Sequence, residues 1–308
     1  MIVAERPAPP LRSPGQTVRP YLPITRALLA GLGALLVTVS ALSTAGVLTM
    51  FDPIAQDLGA RLQSPSLRYP LGTDHLGRDV LSRLVLGAGP TIGLAVAGVG
   101  LAGLIGAAVG LVGALPRGGP FRRVIGLLLQ AQLAFPGHWL AVFFLAMLGN
   151  GTPVVILSLV VAMWVQFAWV ALDEAGEIGR REFVQATRAL GASEVRVLLR
   201  HVAPHLATPL WAIALIELQV AVSLVATLSF LGLGVRPPDP SWGGMVEEGR
   251  RFFPEAWWIL TVPAAALAGT TLLVAAIGAP GRARFGRGRA TRVPHGRERS
   301  PYDQLAGG

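Results

Sequence analysis

Residues 180–209 read RREFVQATRALGASEVRVLLRHVAPHLATP and form the longest polar interruption in the second half of a very apolar chain. In the first part of this stretch, mostly apolar side chains recur at helical spacing. They are Phe183, Ala186, Thr187 and Leu190. This spacing predicts a short helix with one apolar face. Gly191 then interrupts the pattern, and the first helix is predicted to end there.

A second short helix is predicted after this glycine. Ser193 can cap its N-terminus, and Glu194 suits the positive end of the helix dipole. The apolar spacing is repeated at Val195, Leu198, Leu199 and Val202. Pro204 is predicted to stop the helix. Two amphipathic helices hinged at a glycine indicate either a docking element for a soluble partner or a basic loop that lies on lipid headgroups.

The composition is that of an integral membrane protein. Hydrophobic residues make up 52% of the chain and charged residues 14%, whereas a soluble domain carries about a quarter charged residues. All 26 basic residues are arginine, so the chain lacks the lysine of a Walker-type phosphate loop, and any ATP hydrolysis is expected on another subunit. The absence of cysteine excludes disulfides and thiolate sites. We predict no enzyme activity, cofactor or metal site.

Six apolar segments are each long enough to cross the ~30 Å hydrocarbon layer. They cover residues 27–50, 91–115, 124–148, 153–172, 206–228 and 257–277. The sequence therefore predicts an all-α protein with six transmembrane helices. Its predicted parts are a disordered tail (1–26), the first helix with a connecting segment (27–88), a transmembrane core (89–278) that contains the loop 180–206, and a basic tail (279–308).

Several polar residues interrupt the predicted spans. Pro136 is predicted to kink the third span, which also carries Gln130. Glu217 and Gln219 lie in the fifth span, where a carboxylate is costly unless it faces water or a partner. These four residues are candidates for a translocation pathway or a helix interface. Four glycines of the second span, in contrast, form a stripe that indicates close helix packing: Gly103, Gly106, Gly110 and Gly113.

The segment before the second span contains a charge-balanced group of Asp74, Arg78, Asp79 and Arg83. Together with His75 it allows a catalytic interpretation, but such loop clusters are usually salt bridges and turns, and we favour that interpretation.

Arginine is distributed unequally between the two sides of the predicted membrane. One side comprises the N-terminus, residues 116–123, residues 173–206 and the C-terminal tail, and it carries 19 arginines. The other side carries seven. The chain is predicted to span the plasma (inner) membrane. The positive-inside rule predicts that both termini and the loop 180–206 lie on its cytoplasmic side. A basic flank that contacts anionic lipid is a commoner role for the tail than RNA binding, so no nucleic-acid partner is predicted.

Three strings resemble the permease subunits of ABC importers of the dipeptide, oligopeptide and nickel branch. The first resembles their "EAA" loop, with the triplet at residues 185–187, Gly191, and the closing residues 202–204. The second is the string from Tyr69 to Arg83, and the third runs from Leu228 to Met245 and on to Arg250. A shorter string, Leu133 to Pro136, resembles the same branch.

This resemblance implies a type I ABC importer permease core. Such a permease forms half of a translocation pathway with a second permease subunit, expected to be different from it. Two cytoplasmic ATPases and an extracytoplasmic substrate-binding protein complete the transporter. The helix pair is then the ATPase-coupling loop, and its implied contact residues are Phe183, Gln185, Ala186, Thr187, Leu190, Gly191, Ser193, Leu198 and Pro204. Peptides or a related small solute are the expected cargo.

Some residues depart from the family pattern. Gln185 replaces the acid of the triplet, Trp169 and Leu172 stand where relatives tend to have arginine, and Val225 and Gln130 stand where an acid is common. Two other hypotheses stay open, and the departures bear on the second of them. One is an ion-gradient-driven secondary transporter whose polar pathway uses Glu217, Gln130 and His138, and the other is a membrane scaffold without transport activity.

Overall fold

The computed structural model describes residues 52–115 and 119–290. Within them the regular structure is helical, apart from an isolated β-bridge between Thr73 and Asp79 and a 3-10 turn at Leu58–Ala60. In this described part of the chain, four helices are long and apolar enough to cross a membrane, and a bent pair makes a fifth candidate. The predicted first span (27–50) and the tail 1–26 lie outside the described residues, as does most of the tail 279–308.

The first long helix, α1 (Val80–Gly113), begins 11 residues before the predicted start of the second span. Asp79 caps it, since its carboxylate accepts a hydrogen bond from the Ser82 amide at 2.9 Å. The predicted span began too late because Arg83 is charged, and a charged side chain is rarely buried in a helix unless it is paired. Here Arg83 is 2% exposed and its guanidinium is paired with carboxylates of another segment.

The predicted third span is two helices, α2 (Gly119–Leu133) and α3 (Gly137–Leu148), with an 81° bend between them. The predicted kink at Pro136 is therefore a complete break. Proline disfavours helical backbone in the residue before it, and Pro136 itself becomes the N-cap of α3. The side-chain amide of Gln132 donates to the carbonyl of Val161, which ties the end of α2 to the next helix.

The helix α4 (Thr152–Gly179) packs along α1, and the glycine stripe makes this contact close. A Cβ atom on Gly106 would lie 2.2 Å from the carbonyl oxygen of Trp164, and one on Gly110 would lie 2.3 Å from that of Ala168. The backbones are therefore too close for any side chain at these two positions. The predicted packing role of the stripe is confirmed.

Three further helices follow α4. The short helix α5 (Glu182–Ala189) is followed by α6 (Glu194–Val197), a π-helical turn (Leu198–Val202) and the long helix α7 (Ala203–Phe230). The prediction that Pro204 stops the second helix is wrong. Proline removes one amide donor and its ring collides with the carbonyl four residues earlier. The π turn widens the helix at this point, where the Ala203 amide bonds to the Leu198 carbonyl, and the chain continues into α7.

The last two helices of the described residues are α8 (Trp242–Arg250) and α9 (Trp258–Ala290). The region after α7 was predicted as an ordered loop or re-entrant segment, and it consists of a loop to Ser241 and then α8. Trp258 anchors the start of α9, where its indole donates to the Thr73 carbonyl at 3.1 Å. The helix continues past the predicted end of the sixth span at residue 277 into the basic tail. Buried side chains of α1, α3, α4 and α7, together with Val274 of α9, form the main core.

Candidate functional site

The inner face of the helix pair α5–α6 is fixed to the transmembrane bundle. Val184 and Val197 are 0% and 1% exposed, and they pack in one cluster with Val202, Leu206 and residues of α4 such as Ile178. The helical spacing identified two helices, but Val184 and Val197 belong to neither predicted stripe. The predicted stripes are therefore not the faces that pack on the bundle, except at Leu198 and Val202.

Polar contacts fix the angle between the two helices. The Arg188 guanidinium is 3.0 Å from the Glu194 carboxylate and also donates to the Gly179 carbonyl at 2.9 Å. Gln185 donates to the same carbonyl at 2.9 Å. This arrangement could not be predicted from the sequence, because it depends on how the chain turns at Gly191. That residue has φ of +83°, a conformation that glycine adopts without strain, so the predicted end of the first helix at this glycine is confirmed.

The outer face of the pair is apolar and uncovered. The exposed fractions are 42% for Phe183, 88% for Leu190, 49% for Val195 and 62% for Leu199. Ala186 is also exposed, and Thr187 and Leu198 are half-buried. We call Phe183, Leu190, Val195 and Leu199 the outer apolar face. Isolated exposed apolar residues are common, but four on one helix pair indicate a contact surface.

Two predicted details of the pair need correction or qualification. Ser193 occupies the N-cap position with extended backbone, but its side chain makes no capping hydrogen bond. Pro204 is exposed within the first turn of α7 and does not end a helix. Of the other residues predicted for the coupling loop, Leu198 lies in the π turn, and the rest lie on or between α5 and α6.

The four candidate pathway residues lie on three elements, and Glu217 and Gln219 share α7. Gln130 is exposed on α2, and Pro136 is at the bend before α3. Glu217 lies in the middle of α7, is 8% exposed, and has no hydrogen-bond or ion-pair partner among the described residues. Gln219 donates to the Leu215 carbonyl of its own helix at 3.1 Å.

At the opposite end of the bundle, a buried ion network joins the segment before α1 to α8. Arg78 lies 2.6 Å from Asp74 and 2.7 Å from Glu248, and Arg83 lies 3.0 Å from Glu248. This confirms the predicted salt-bridge role of the cluster. Glu248 was not predicted as the partner, because 165 residues separate it from Arg83.

His75 lies next to this network, and its ring stacks on Phe252 with a centroid distance of 5.1 Å. Burial lowers the pKa of His75 below its usual value of 6.5 and outweighs the attraction of Asp74 and Glu248. Ligand atoms of these three residues lie within 4.8 Å of one another, which is a spacing that could hold a metal ion. Both carboxylates, however, already accept hydrogen bonds from guanidinium groups, so the geometry is that of an ion-pair network.

The departures from the family pattern fit the local packing. Leu172 is 7% exposed in a cluster with Ile125 and Leu129, and Val225 is 1% exposed in the main core. A charged side chain at either position would be buried among apolar groups, at a high cost in free energy. Trp169 is 41% exposed on the outside of α4.

Comparison with known proteins identifies the family. Residues 101–281 match the family described as "Binding-protein-dependent transport system inner membrane component". A putative peptide transport system permease protein of Brucella suis is 34% identical over 248 residues, which cover 80% of this chain and 83% of that protein. The nickel transport system permease protein NikC of Escherichia coli K12 is 35% identical over 208 residues, covering 66% of this chain and 73% of that protein.

A third relative is the di/tripeptide transport system permease protein DppC of Pseudomonas aeruginosa, 33% identical over 237 residues, which cover 74% of this chain and 75% of that protein. Among solved structures, an inward-facing MetNI methionine ABC transporter has a chain with a TM-score of 0.53 and 20% identity. The match covers 65% of this chain and 95% of that chain, and it shows the type I permease fold.

These findings favour the importer hypothesis over the secondary-transporter hypothesis. A binding-protein-dependent importer works with ATPase and substrate-binding partners, and this chain is its inner-membrane component. The chain therefore belongs to the binding-protein-dependent transport system inner membrane components, and it is a permease subunit of an ABC importer of the peptide and nickel branch.

Proposed function

We propose that the outer apolar face of α5 and α6 binds a cytoplasmic ATPase subunit, whose nucleotide cycle thereby moves the transmembrane helices. The observation that carries this proposal is the exposure of Leu190, at 88%, beside an inner face in which Val184 and Val197 are almost completely buried. A helix pair that buries one face in its own bundle and leaves the other apolar face uncovered is suited to enter a groove of a partner.

Movement of the pair has a direct mechanical path into the bundle. The Arg188–Glu194 ion pair holds α5 and α6 together, and α6 continues through the π turn into α7. A displacement of the pair therefore displaces the N-terminal end of α7, which carries Glu217 at its centre. The ATPase states drive alternating access only if they contact the pair differently, since differential contacts supply the coupling free energy.

The charge distribution supports a cytoplasmic position for the pair. Because 19 of the 26 arginines lie on its side of the membrane, both termini are assigned to the cytoplasm. The partners are then two ATPases on that side, a substrate-binding protein on the other side, and a second, different permease subunit. The names of the relatives support a peptide or a related small solute as cargo.

Glu217 supports a role at the pathway or at the interface with the second permease. A buried carboxylate near the middle of a membrane-crossing helix, without a partner in the described part of the chain, needs water or a polar partner. Gln130, Pro136 and Gln219 are proposed to contribute to the same pathway or interface.

The ATPase contact is tested with Leu190→Glu in the full chain, co-expressed with its ATPase subunits and extracted in detergent. We expect co-purified ATPase to fall at least about tenfold, because a carboxylate would be buried in the contact. Folding is expected to be unaffected, since Leu190 is exposed. The matched control is Leu67→Glu, which changes a fully exposed leucine far from the pair. Undiminished co-purification with Leu190→Glu would show that the face does not bind the ATPase, and would favour a scaffold without coupling.

A further inference from the structure

A small cavity of about 160 Å³ lies where the transmembrane helices meet the helix pair. It is bordered by the end of α1, the start of α2, the last turns of α4, and the pair α5–α6 with its π turn. Because α1, α2 and α4 enter or leave the apolar part of the membrane here, the cavity lies at the depth of the lipid headgroups. It has room for one small polar group.

The charged side chains around this cavity are mostly basic. They are Arg122, Arg180, Arg188 and Glu194. Arg188 and Glu194 are paired with each other at 3.0 Å. The exposed side chains of Arg122 and Arg180, in contrast, make no hydrogen bond or ion pair in the described part of the chain. The cavity therefore carries two positive charges that no side chain around it balances.

The two unpaired guanidinium groups approach the same residue of α4. A Cβ atom on Gly176 would lie 3.3 Å from Nη2 of Arg122 and 3.8 Å from Nη1 of Arg180. Like charges at such a distance repel each other. The C-terminal end of α4 offsets only part of this charge, since a helix dipole is equivalent to about half an elementary charge. The acids of the last turns of α4, such as Asp173 and Glu177, do not line the cavity. An anion held between the two arginines would offset the remaining charge.

The surface beside the cavity favours a phosphate group that is carried by a lipid. Arg122 also borders a second cavity, of about 340 Å³, which runs along α2 past Gly126 and Leu127. Leu127 is 58% exposed, so an apolar surface adjoins the basic cavity. A phospholipid combines the same two properties, with acyl chains next to an anionic phosphate. Basic pockets between transmembrane helices are a known type of site for anionic headgroups.

We propose that Arg122 and Arg180 bind a phosphate group, which an anionic phospholipid of the surrounding leaflet supplies. Guanidinium groups suit this role because they donate paired hydrogen bonds to phosphate oxygens. The bound phosphate would join the start of α2 to the end of α4, next to the turn that leads into α5. Free phosphate offers the same chemistry as the headgroup, and the test separates the two sources.

Binding is measured by calorimetry on the full chain in neutral detergent, with three probes. Dihexanoyl phosphatidylglycerol carries a net negative charge, dihexanoyl phosphatidylcholine carries the same phosphate beside a choline cation, and inorganic phosphate has no acyl chain. We expect phosphatidylglycerol to bind at least about tenfold more tightly than the other two. Equal binding of phosphatidylglycerol and inorganic phosphate would overturn the lipid as the source of the phosphate. Equal binding of the two lipids, or no binding of any probe, would overturn the site.

Two variants test the assigned arginines. Arg122→Gln and Arg180→Gln are each expected to weaken phosphatidylglycerol binding about tenfold, and folding should be unaffected because both side chains are exposed and unpaired. The matched controls are Arg181→Gln and Arg196→Gln, which make the same change in net charge at exposed arginines outside the cavity. They should change the affinity by less than about twofold. Equal losses in all four variants would indicate general attraction by a basic protein and would overturn the site.

An acidic segment of the ATPase is the competing occupant of this cavity. In that case Arg122→Gln and Arg180→Gln would lower the amount of co-purified ATPase, and no phosphate probe would bind, which would overturn the proposal. We expect both variants to retain the ATPase, and Leu190→Glu to retain phosphatidylglycerol binding. The phosphate site and the ATPase contact can therefore fail independently of each other.

Discussion

Substitution of Gly110 by alanine tests the close contact between α1 and α4. The new Cβ would lie 2.3 Å from the carbonyl oxygen of Ala168 and 2.7 Å from the Cβ of Ala171, whereas ordinary van der Waals contact begins at 3.4 Å. The two helices must therefore separate locally by about 1 Å, and this displacement involves backbone, which cannot rotate away as a flexible side chain would.

The expected magnitude follows from two opposing effects. Overpacking of a close contact costs roughly 1–3 kcal/mol, while replacement of a helical glycine by alanine returns up to about 1 kcal/mol. Because the clash is with backbone, the overpacking cost lies in the upper part of its range, and the net loss is about 1–2 kcal/mol. This loss corresponds to a fall of about 2–8 °C in the melting midpoint. Gly100→Ala is the matched control, since its Cβ would have no atom within 4 Å.

The assay measures thermal unfolding of the purified chain in detergent. Samples are heated to a series of temperatures, and size-exclusion chromatography measures the fraction that stays folded. We expect Gly100→Ala to be unchanged or up to about 4 °C more stable, because only the propensity gain applies. If the Gly110→Ala variant had a melting midpoint at or above that of the unmodified protein, as Gly100→Ala is expected to have, α1 and α4 could not be in the contact described. The predicted order is Gly110→Ala below the unmodified protein and Gly100→Ala at or above it.

Two further predictions concern the ion network and the histidine beside it. Glu248→Gln leaves the buried guanidinium groups of Arg78 and Arg83 with one carboxylate, so we expect a loss of about 3–5 kcal/mol, measured by the same thermal assay. The exposed-acid variant Glu255→Gln should stay within about 0.5 kcal/mol, and equal midpoints for the two would refute the network. Because burial lowers the pKa of His75, the unfolded chain binds its proton more tightly than the folded chain does. The contribution of neutral His75 to the free energy of unfolding is therefore complete above pH 6.5, and it is lost as the pH falls below that value. A His75→Gln variant should show a weaker fall in stability on acidification, and an unchanged pH dependence would count against a buried, neutral histidine.

The local features of the helix pair were predictable from the sequence. Helical spacing identified both helices, and the glycine at residue 191 located the turn, because it supplies a positive φ that other residues adopt at a cost. The apolar stripe of the first helix was also correctly predicted at Phe183 and Leu190, and both side chains are exposed. Spacing alone could not decide which face packs inward, and Val184 takes that position because it faces α4.

Features that depend on distant residues were not predictable in the same way. The partner of Arg83 comes from α8, and nothing local to either segment indicates the pairing. The sequence also misplaced the start of α1, because hydropathy treats a paired buried arginine as exposed. At Pro204 a local rule failed: the missing amide is accommodated by a π turn, since α7 and α6 are both anchored in the core.

The position of the helix pair on the cytoplasmic side is measured most directly by labelling. The chain contains no cysteine, so Ser193→Cys provides one thiol at an exposed position between α5 and α6. A membrane-impermeant maleimide should label this thiol in inverted membrane vesicles and leave it unlabelled in intact cells or spheroplasts. Labelling from the outside of spheroplasts would place the pair away from any ATPase and contradict the coupling role.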